Sequence, residues 1–574
     1  MQRFSDLNTS TRAIWAKSGE PFGHGLLAHM LDVAAVAEAI LQRESSRTRA
    51  WAAEAFGVSK QALPRWLAVF CGLHDFGKAI PGFQIKWPAG QAADEATGLR
   101  FTPAFSLNAT RHDFASTALL HRALSLHFPD SPWIQAVTQA LGAHHGYFPR
   151  QRELREGKPI QEDSEWGKAR EQLLAAYLLA LQPGKPPLQT EIALPAAAWL
   201  AGLTSVADWI GSNQEWFPPG ERADSLAEHY AKAQKLAVVA LDEIGWPGFR
   251  PLLEESAGTD ALIRRILGSS DQAITARPLQ RAADRLLSKV HGPCLMLVEA
   301  PMGEGKTELA FLAHLRLQAA NGHRGLYVAL PTQATGNAMF ERALTFLHSI
   351  APDIRLDIQL AHGGAMLDER IHQLRGVNAS KGESISSSAW FSQRKRPLLS
   401  PYGVGTIDQA LFATLHVKHH FVRLWGLANR VVVLDEVHAY DTYTSGLIEA
   451  LLRWLKAMNC SVVLMSATLP EKRRATFLHA WGATGAPERD YPRVLLASDA
   501  GVQGEHVPCR PLAPITVSGI PETLDSLAEA ALEALIGGGC GAVIVNTVQR
   551  AQDLYSRMKL QLAEMDGDAV ELLL

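Results

Sequence analysis

The stretch "EAPMGEGKTELA" is the tightest constraint on what this chain can fold into, because such a loop works only between a buried strand and the start of a helix. An apolar, β-prone run, "CLMLVEA" from Cys294, precedes it, and helical apolar spacing follows. In that setting Gly303 and Gly305 let backbone amides turn toward phosphate oxygens. Lys306 reaches the β and γ phosphates of ATP, and Thr307 offers a hydroxyl to magnesium. Further short runs, "GLYVAL" at 325, "RVVVLDE" at 430 and "SVVLMSAT" at 461, alternate with helical stretches. Buried strands alternating with helices predict an α/β lobe with a doubly wound parallel sheet.

Four more blocks accompany the loop. "VVVLDEVH" ends a strand in Asp435, placed to hold the magnesium shell, and Glu436, placed to polarise an attacking water. "SATLP", 466 to 470, follows the next strand, and "ALPTQAT", 329 to 335, and "GVGTIDQ", 403 to 409, lie between. This order resembles that of superfamily 2 helicases, whose loops often read A-x-x-G-x-G-K-T, so Ala300 in place of the strict pattern's Gly is an ordinary variation. Gln280, in "RPLQ", either contacts adenine or is a plain helix residue. "VNTVQRAQDLY", 545 to 555, resembles the opening of a second helicase lobe, but the arginine-bearing motifs expected later are absent. Such arginines are worth about 10³ to 10⁵ in rate in related phosphate chemistry. The expectation is a chain that binds ATP and hydrolyses it poorly.

The first half has a different grammar. "AHMLDVAAVAEAILQ", "WLAVFCGLHDFGK", "DFASTALLHRALSLH" and "SLAEHYAKAQKLAVVALDEI" carry apolar residues at three- and four-residue intervals, so residues 1 to 240 read as all-α, with no strand expected. Within these apolar stretches lie His29, His74, Asp75, His112, His144, His145 and Asp208. A lone His-Asp pair is commonly a cap or a surface feature, but several buried His and Asp side chains are costly unless paired or metal-bound. Imidazoles and carboxylates without a thiolate suit iron, manganese, cobalt or nickel better than a structural zinc site. Seven ligands exceed the need of one ion. The reading is a two-metal centre in which Asp75 bridges, His29, His74 and Asp208 complete one site, and His112, His144 and His145 the other. Two ions about 3.5 to 4 Å apart clamp the attacking and leaving oxygens of a phosphodiester, so His74 and Asp75 are read as catalytic. Lys78 either steadies phosphate charge or is a solvated lysine. His24, His121 and His127 are read as surface residues or partners behind the ligands.

A chain of 574 residues exceeds one core. We divide it into a helical metal domain (1–240), a linker (241–275) containing "IGWPGFRPLLEESAGTD", a first helicase lobe (276–510) and the start of a second, incomplete one (511–574). With a net charge of -3 any nucleic-acid surface must be local. "FSQRKRPLLSPYG", 391 to 403, and "HVKHHFVRLWG", 416 to 426, interleave cations with aromatics as a channel for single strands would; solvated loops are the plainer alternative. Five cysteines without paired spacing suggest neither a disulfide framework nor a CxxC zinc site, which fits a cytosolic setting. "IALPAAAWLAGLTSVA" is too short for a membrane span and carries Pro195, so it reads as a buried helix, and the protein as cytoplasmic with no membrane partner.

Taken together, "HMLDVAAVA", "LHDFGK", "HHG", "VADWIGS", "APMGEGKT", "LPTQATGNAM", "GTIDQ", "LDEVHAYDTY" and "LMSATLP" resemble the CRISPR-associated nuclease-helicases of type I systems across essentially the whole chain. "LDEVHAYDTY" and "LPTQATGNAM" look most like the subtype I-E branch. The resemblance implies a single-stranded DNA nuclease coupled to an ATP-driven 3′ to 5′ helicase, recruited by Cascade, a guide RNA surveillance complex that does the sequence reading. Full-length members complete the second lobe and add a C-terminal domain, so the resemblance supports nuclease chemistry more firmly than unwinding. Two other readings stay open: an HD phosphohydrolase acting on nucleotides with a regulatory ATPase-like half, and a non-catalytic fragment that occupies DNA or Cascade.

Overall fold

Helix α1 (Leu26–Arg43) is apolar on almost every face, and the fold buries it nearly end to end. The computed structural model describes residues 2–20, 23–187, 191–253, 257–352, 356–361, 385–386, 390–392, 396–508, 514–564 and 571–573. Around α1 pack α2 (Leu63–Gly72), α5 (Leu194–Gly211) and α6 (Leu226–Ile244), while α3 (His112–His127) and α4 (Trp133–Gly142) form an adjacent pair. α5 is the run "LPAAAWLAGLTSVADWIG"; Pro195 lies in its first turn, where no backbone N–H is needed, and its body is buried. No helix among the described residues is long and apolar enough to cross a membrane. α2 runs directly into a 3₁₀ segment, Leu73–Lys78, every residue of which is buried.

The strand-free expectation for residues 1 to 240 is corrected: β1 (Trp15–Lys17) and β2 (His24–Gly25) form a small antiparallel pair. Three and two residues are too few to produce a readable alternation.

Among the described residues the second half builds one nine-stranded sheet in the order β11-β10-β3-β9-β8-β4-β7-β5-β6. Its strands are β3 (Leu295–Glu299), β4 (Leu326–Leu330), β5 (Leu356–Ala361), β6 (Ile385–Ser386), β7 (Tyr402–Thr406), β8 (Val431–Leu434), β9 (Ser461–Ser466), β10 (Arg493–Ser498) and β11 (Gly501–His506). All neighbours pair in parallel except β10 with β3 and β11, so the sheet is mostly parallel but mixed. Helices α7 (Lys306–Asn321) and α8 (Gln333–Ile350) follow β3 and β4, and α9 (His420–Leu427) and α10 (Thr442–Ala457) flank β8. The sequence from 485 to 525 reads as loop-rich, but β10 and β11 form a hairpin there, whose outer strand is mostly polar and half exposed and so lacks a buried run.

Strand alternation sorts the core. Met296, Val298, Val431 and Val433 face one cluster with Phe311 and Phe346, while Leu295, Leu297, Val432 and Leu434 face another. That second cluster runs on without a break through α9 and Trp425 into Trp199, α1 and α2. Residues Met1–Cys509 accordingly form one compact unit and Arg510–Leu574 another. In the second unit, helices Leu524–Ala534 and Val548–Glu564 pack through Leu524, Ala528, Leu554 and Met558. The run "GAVIVNT", 541 to 547, reads as a strand but forms none: no neighbouring strand is there to pair with it among the described residues, and Ile544 is exposed. Gln393, Arg394 and Lys395 of the basic stretch at 391 lie outside the described residues.

Candidate metal centre and nucleotide site

The 3₁₀ segment after α2 turns His74, Asp75 and Lys78 into one buried pocket. The two oxygens of Asp75 are shared between two sets of imidazoles. Its Oδ2 lies 3.1 Å from His29 Nε2 and 3.3 Å from His74 Nε2, and its Oδ1 lies 3.2 Å from His112 Nε2 and 3.6 Å from His144 Nε2. Asp208 Oδ1, from α5, is 3.3 Å from His74 Nε2 and 3.8 Å from His29 Nε2. His145 Nε2 is 2.9 Å from His112 Nε2. The donors gather into two groups, His29, His74, Asp75 and Asp208 in one, His112, His144 and His145 in the other, each within 4.8 Å. Lys78 is no solvated lysine: its Nζ is buried, 2.5 Å from Asp75 Oδ2, and donates to the Ala16 carbonyl at 3.1 Å.

Backbone carbonyls fix the rings. His74 Nδ1 donates to Cys71 O at 2.9 Å and His144 Nδ1 to Leu141 O at 2.7 Å, which leaves each Nε2 aimed inward. Ser212 Oγ donates to Asp208 Oδ1 at 2.6 Å. Burial presses His29 down to about 3 and His144 and His145 each to about 4, so these rings are neutral donors. His74 goes the other way: burial opposes its charge, but Asp75 and Asp208 outweigh it and lift the ring to about 9. Asp75 stays well below the usual carboxylate range because His74 and Lys78 overcome burial. The Nε2 atoms of His29, His74 and His144 are buried without a hydrogen-bond partner among the described residues. Orphaned nitrogens converging on buried carboxylates fit divalent metal ions, which would supply the missing partner.

Of the other three histidines, His121 and His127 are exposed, whereas His24 is buried, its Nε2 3.0 Å from Asp32 and its ring 6.0 Å from that of His29. Sequence reasoning missed Lys17, on β1, whose charge helps to lower His29 and Lys78.

The phosphate loop joins β3 to α7, with Gly303 at φ 82° and Gly305 at φ 77°, left-handed values that suit glycine. Gly303, Gly305, Lys306, Thr307, Asp435 and Glu436 line one cleft, joined by Arg277 and Arg342. Lys306 Nζ donates to Ala300 O at 2.8 Å, and Arg342 to Thr307 Oγ1 at 2.9 Å. Burial, reinforced by Glu436, raises Asp435 to about 6. Gln280 is buried with both amide atoms engaged: Oε1 accepts from Arg277 N at 2.9 Å and Nε2 donates to Gly305 O at 3.1 Å.

Two family models match the chain: "Cas3, HD domain" over residues 15–217 and "DEAD/DEAH box helicase" over residues 277–476. The chain belongs to the Cas3 family. A Cas3 described as a CRISPR-associated endonuclease/helicase from Thermus thermophilus is 44% identical over 559 residues, covering 95% of this chain and 59% of the relative. The crystal structure of T. fusca Cas3-AMPPNP superposes with a TM-score of 0.81 at 29% identity, covering 96% of this chain and 64% of that one. A chain in a CRISPR RNA-guided surveillance complex, pre-nicking, matches with a TM-score of 0.69 at 27% identity, over 96% of this chain and 62% of that one. The chain thus spans about three fifths of the length of such relatives.

Set against the Cas3 family's domain order, the channel reading of 416 to 426 needs correction. The aromatic members Phe421 and Trp425 are buried, because α9 packs on α5, with ring centroids of Trp425 and Trp199 6.3 Å apart. Only His416 and Lys418 are fully exposed in this stretch.

Proposed function

We propose that this chain is the nuclease and motor portion of a type I CRISPR effector of the subtype I-E kind. In this reading it is a metal-dependent single-stranded DNA endonuclease coupled to ATP-driven 3′ to 5′ translocation, recruited to its target by Cascade in the cytoplasm. Residues 1–240 carry the nuclease, 276–510 the ATP site, and 511–574 begin a second lobe. The observation that carries the reading is Asp75, whose two oxygens are divided between two groups of inward-facing imidazole nitrogens.

His29, His74 and Asp208 would hold one divalent ion, His112, His144 and His145 the other, with Asp75 bridging; iron, manganese, cobalt and nickel suit these donors. When bound, such a pair supplies positive charge to both the attacking and the leaving oxygen of a phosphodiester. The chain's own groups do the rest. Lys78 holds Asp75 in place through its Oδ2, the Cys71 and Leu141 carbonyls keep two rings in the tautomer that presents Nε2, and burial keeps water off the pocket's floor. In the second site Lys306 and Thr307 take the phosphates and magnesium, Asp435 the magnesium shell, and Glu436 the attacking water. Gln280 steadies the loop through Gly305, and its amide nitrogen has a second hydrogen with which to meet adenine.

The test is cleavage of circular single-stranded DNA by the purified chain with manganese and no ATP. The reading expects cutting that Asp75→Ala reduces at least about 10³-fold, with Lys306→Ala indistinguishable from wild type. An intact circle, or hydrolysis of free nucleotides instead, would defeat it.

A further inference from the structure

The mouth of the metal centre is completed by the helicase half. A cleft of about 430 Å³ opens over His112 and His145, and its walls include Lys86, Arg111, Tyr147 and Lys418. Lys418 comes from the loop before α9, and Gly146 makes its position possible. Gly146 has φ 124°, and a Cβ there would stand 2.4 Å from Lys418 Cγ and 3.0 Å from its Cε. The lysine stem therefore lies flat across the residue that follows His145. The His419 N–H donates to Gly146 O at 2.9 Å and pins the two loops together.

Charge singles out Lys418 among the three cations. Arg111 is held by both oxygens of Asp113, at 2.9 and 2.5 Å, and Lys86 Nζ donates to Thr110 O at 2.7 Å. Lys418 is exposed and makes no ion pair among the described residues. Next to it the exposed rings of Tyr147 and His416 lie 5.2 Å apart at an interplanar angle of 31°. A lysine that is exposed and makes no ion pair among the described residues, beside two exposed rings, suits a ligand that alternates phosphates with flat bases.

We propose that Lys418 is a positioning residue for the nuclease: it grips a backbone phosphate of single-stranded DNA next to the bond at the metal centre, and Tyr147 and His416 carry the adjoining base. The helicase half thereby supplies part of the nuclease's substrate site. This inference rests on the nuclease reading above.

The experiment compares the whole chain with Lys418→Ala, Lys418→Arg and Lys418→Glu. Binding of a labelled oligothymidylate is measured between 50 and 200 mM salt, roughly the range over which such contacts are resolved, and KM and kcat are measured with manganese. Losing one phosphate contact on a single strand should lower the slope of log K against log salt by about 0.7. KM should rise about 3- to 10-fold in Lys418→Ala. Arg should restore both values and Glu should be worse than Ala, with manganese binding unchanged in all three. A wild-type slope and KM in Lys418→Ala overturn the proposal, and so does loss of manganese, which would make the lysine a prop for the ligand loop. If the wild-type chain binds manganese but does not cut, the nuclease reading fails, and the salt slope alone decides whether Lys418 grips DNA.

Discussion

Asp94 lies in helix Pro88–Ala96 with both carboxylate oxygens buried and, among the described residues, unpartnered. Burial, assisted by Glu95, lifts it to about 7. The folded state then holds this proton more tightly than the unfolded chain, whose carboxyl titrates near 3.9, roughly the free value. A raised acid contributes fully below the unfolded pKa and is a growing penalty as pH climbs through the folded one, so stability falls across pH 4 to 7. A shift of about three units corresponds to about 4 kcal/mol. Asp94→Asn should therefore gain several kcal/mol on wild type between pH 5 and 8 in urea denaturation; curves that stay parallel across that range would contradict this. The candidate metal ligands were legible one by one because each is a polar residue in an apolar helical run. What sequence could not show is their support: Lys17 on a three-residue strand, and the carbonyls of Cys71 and Leu141, carry no side-chain signature.

Between elements, the junction of α1 with the sheet contains a buried ion pair. Arg324 donates to Glu44 at 2.9 Å, and the fully buried Arg430 has its charge disfavoured by burial and by Arg324, with Glu44 opposing. Glu44→Gln leaves two cations in the interior without a counter-charge, a loss of about 3 to 5 kcal/mol. Chemical denaturation should show it, and a change under about 1 kcal/mol would mean that water or another acid already compensates. Helices α1, α5 and α6 could be read because their apolar spacing spans eighteen or nineteen residues. Strands β3, β4, β8 and β9 could be read as buried runs next to motifs. β10 could not: its pairing with β3 is antiparallel, and no local motif announces the reversal.

At the scale of the molecule, one core joins the helices of the candidate metal centre to a face of the sheet. Sequence division into domains gives no hint of this, since Trp199 and Trp425 are far apart in the chain and each looks like an ordinary core residue. The shared core has a consequence. Manganese at a hundred times its dissociation constant should stabilise the unit by about 2.7 kcal/mol, and hydrogen exchange should slow in α9 as well as in the ligand helices. Protection confined to residues 24 to 212 would show that the two halves respond independently.

Asp75 would join two metal sites, and counting ions tests that bridge. Electron paramagnetic resonance on manganese-titrated protein should reveal two spin-coupled ions per chain, with coupling abolished and at most one ion retained in Asp75→Ala. A single uncoupled ion in the wild-type chain, or two coupled ions that survive loss of Asp75, would contradict the bridging geometry on which the account rests.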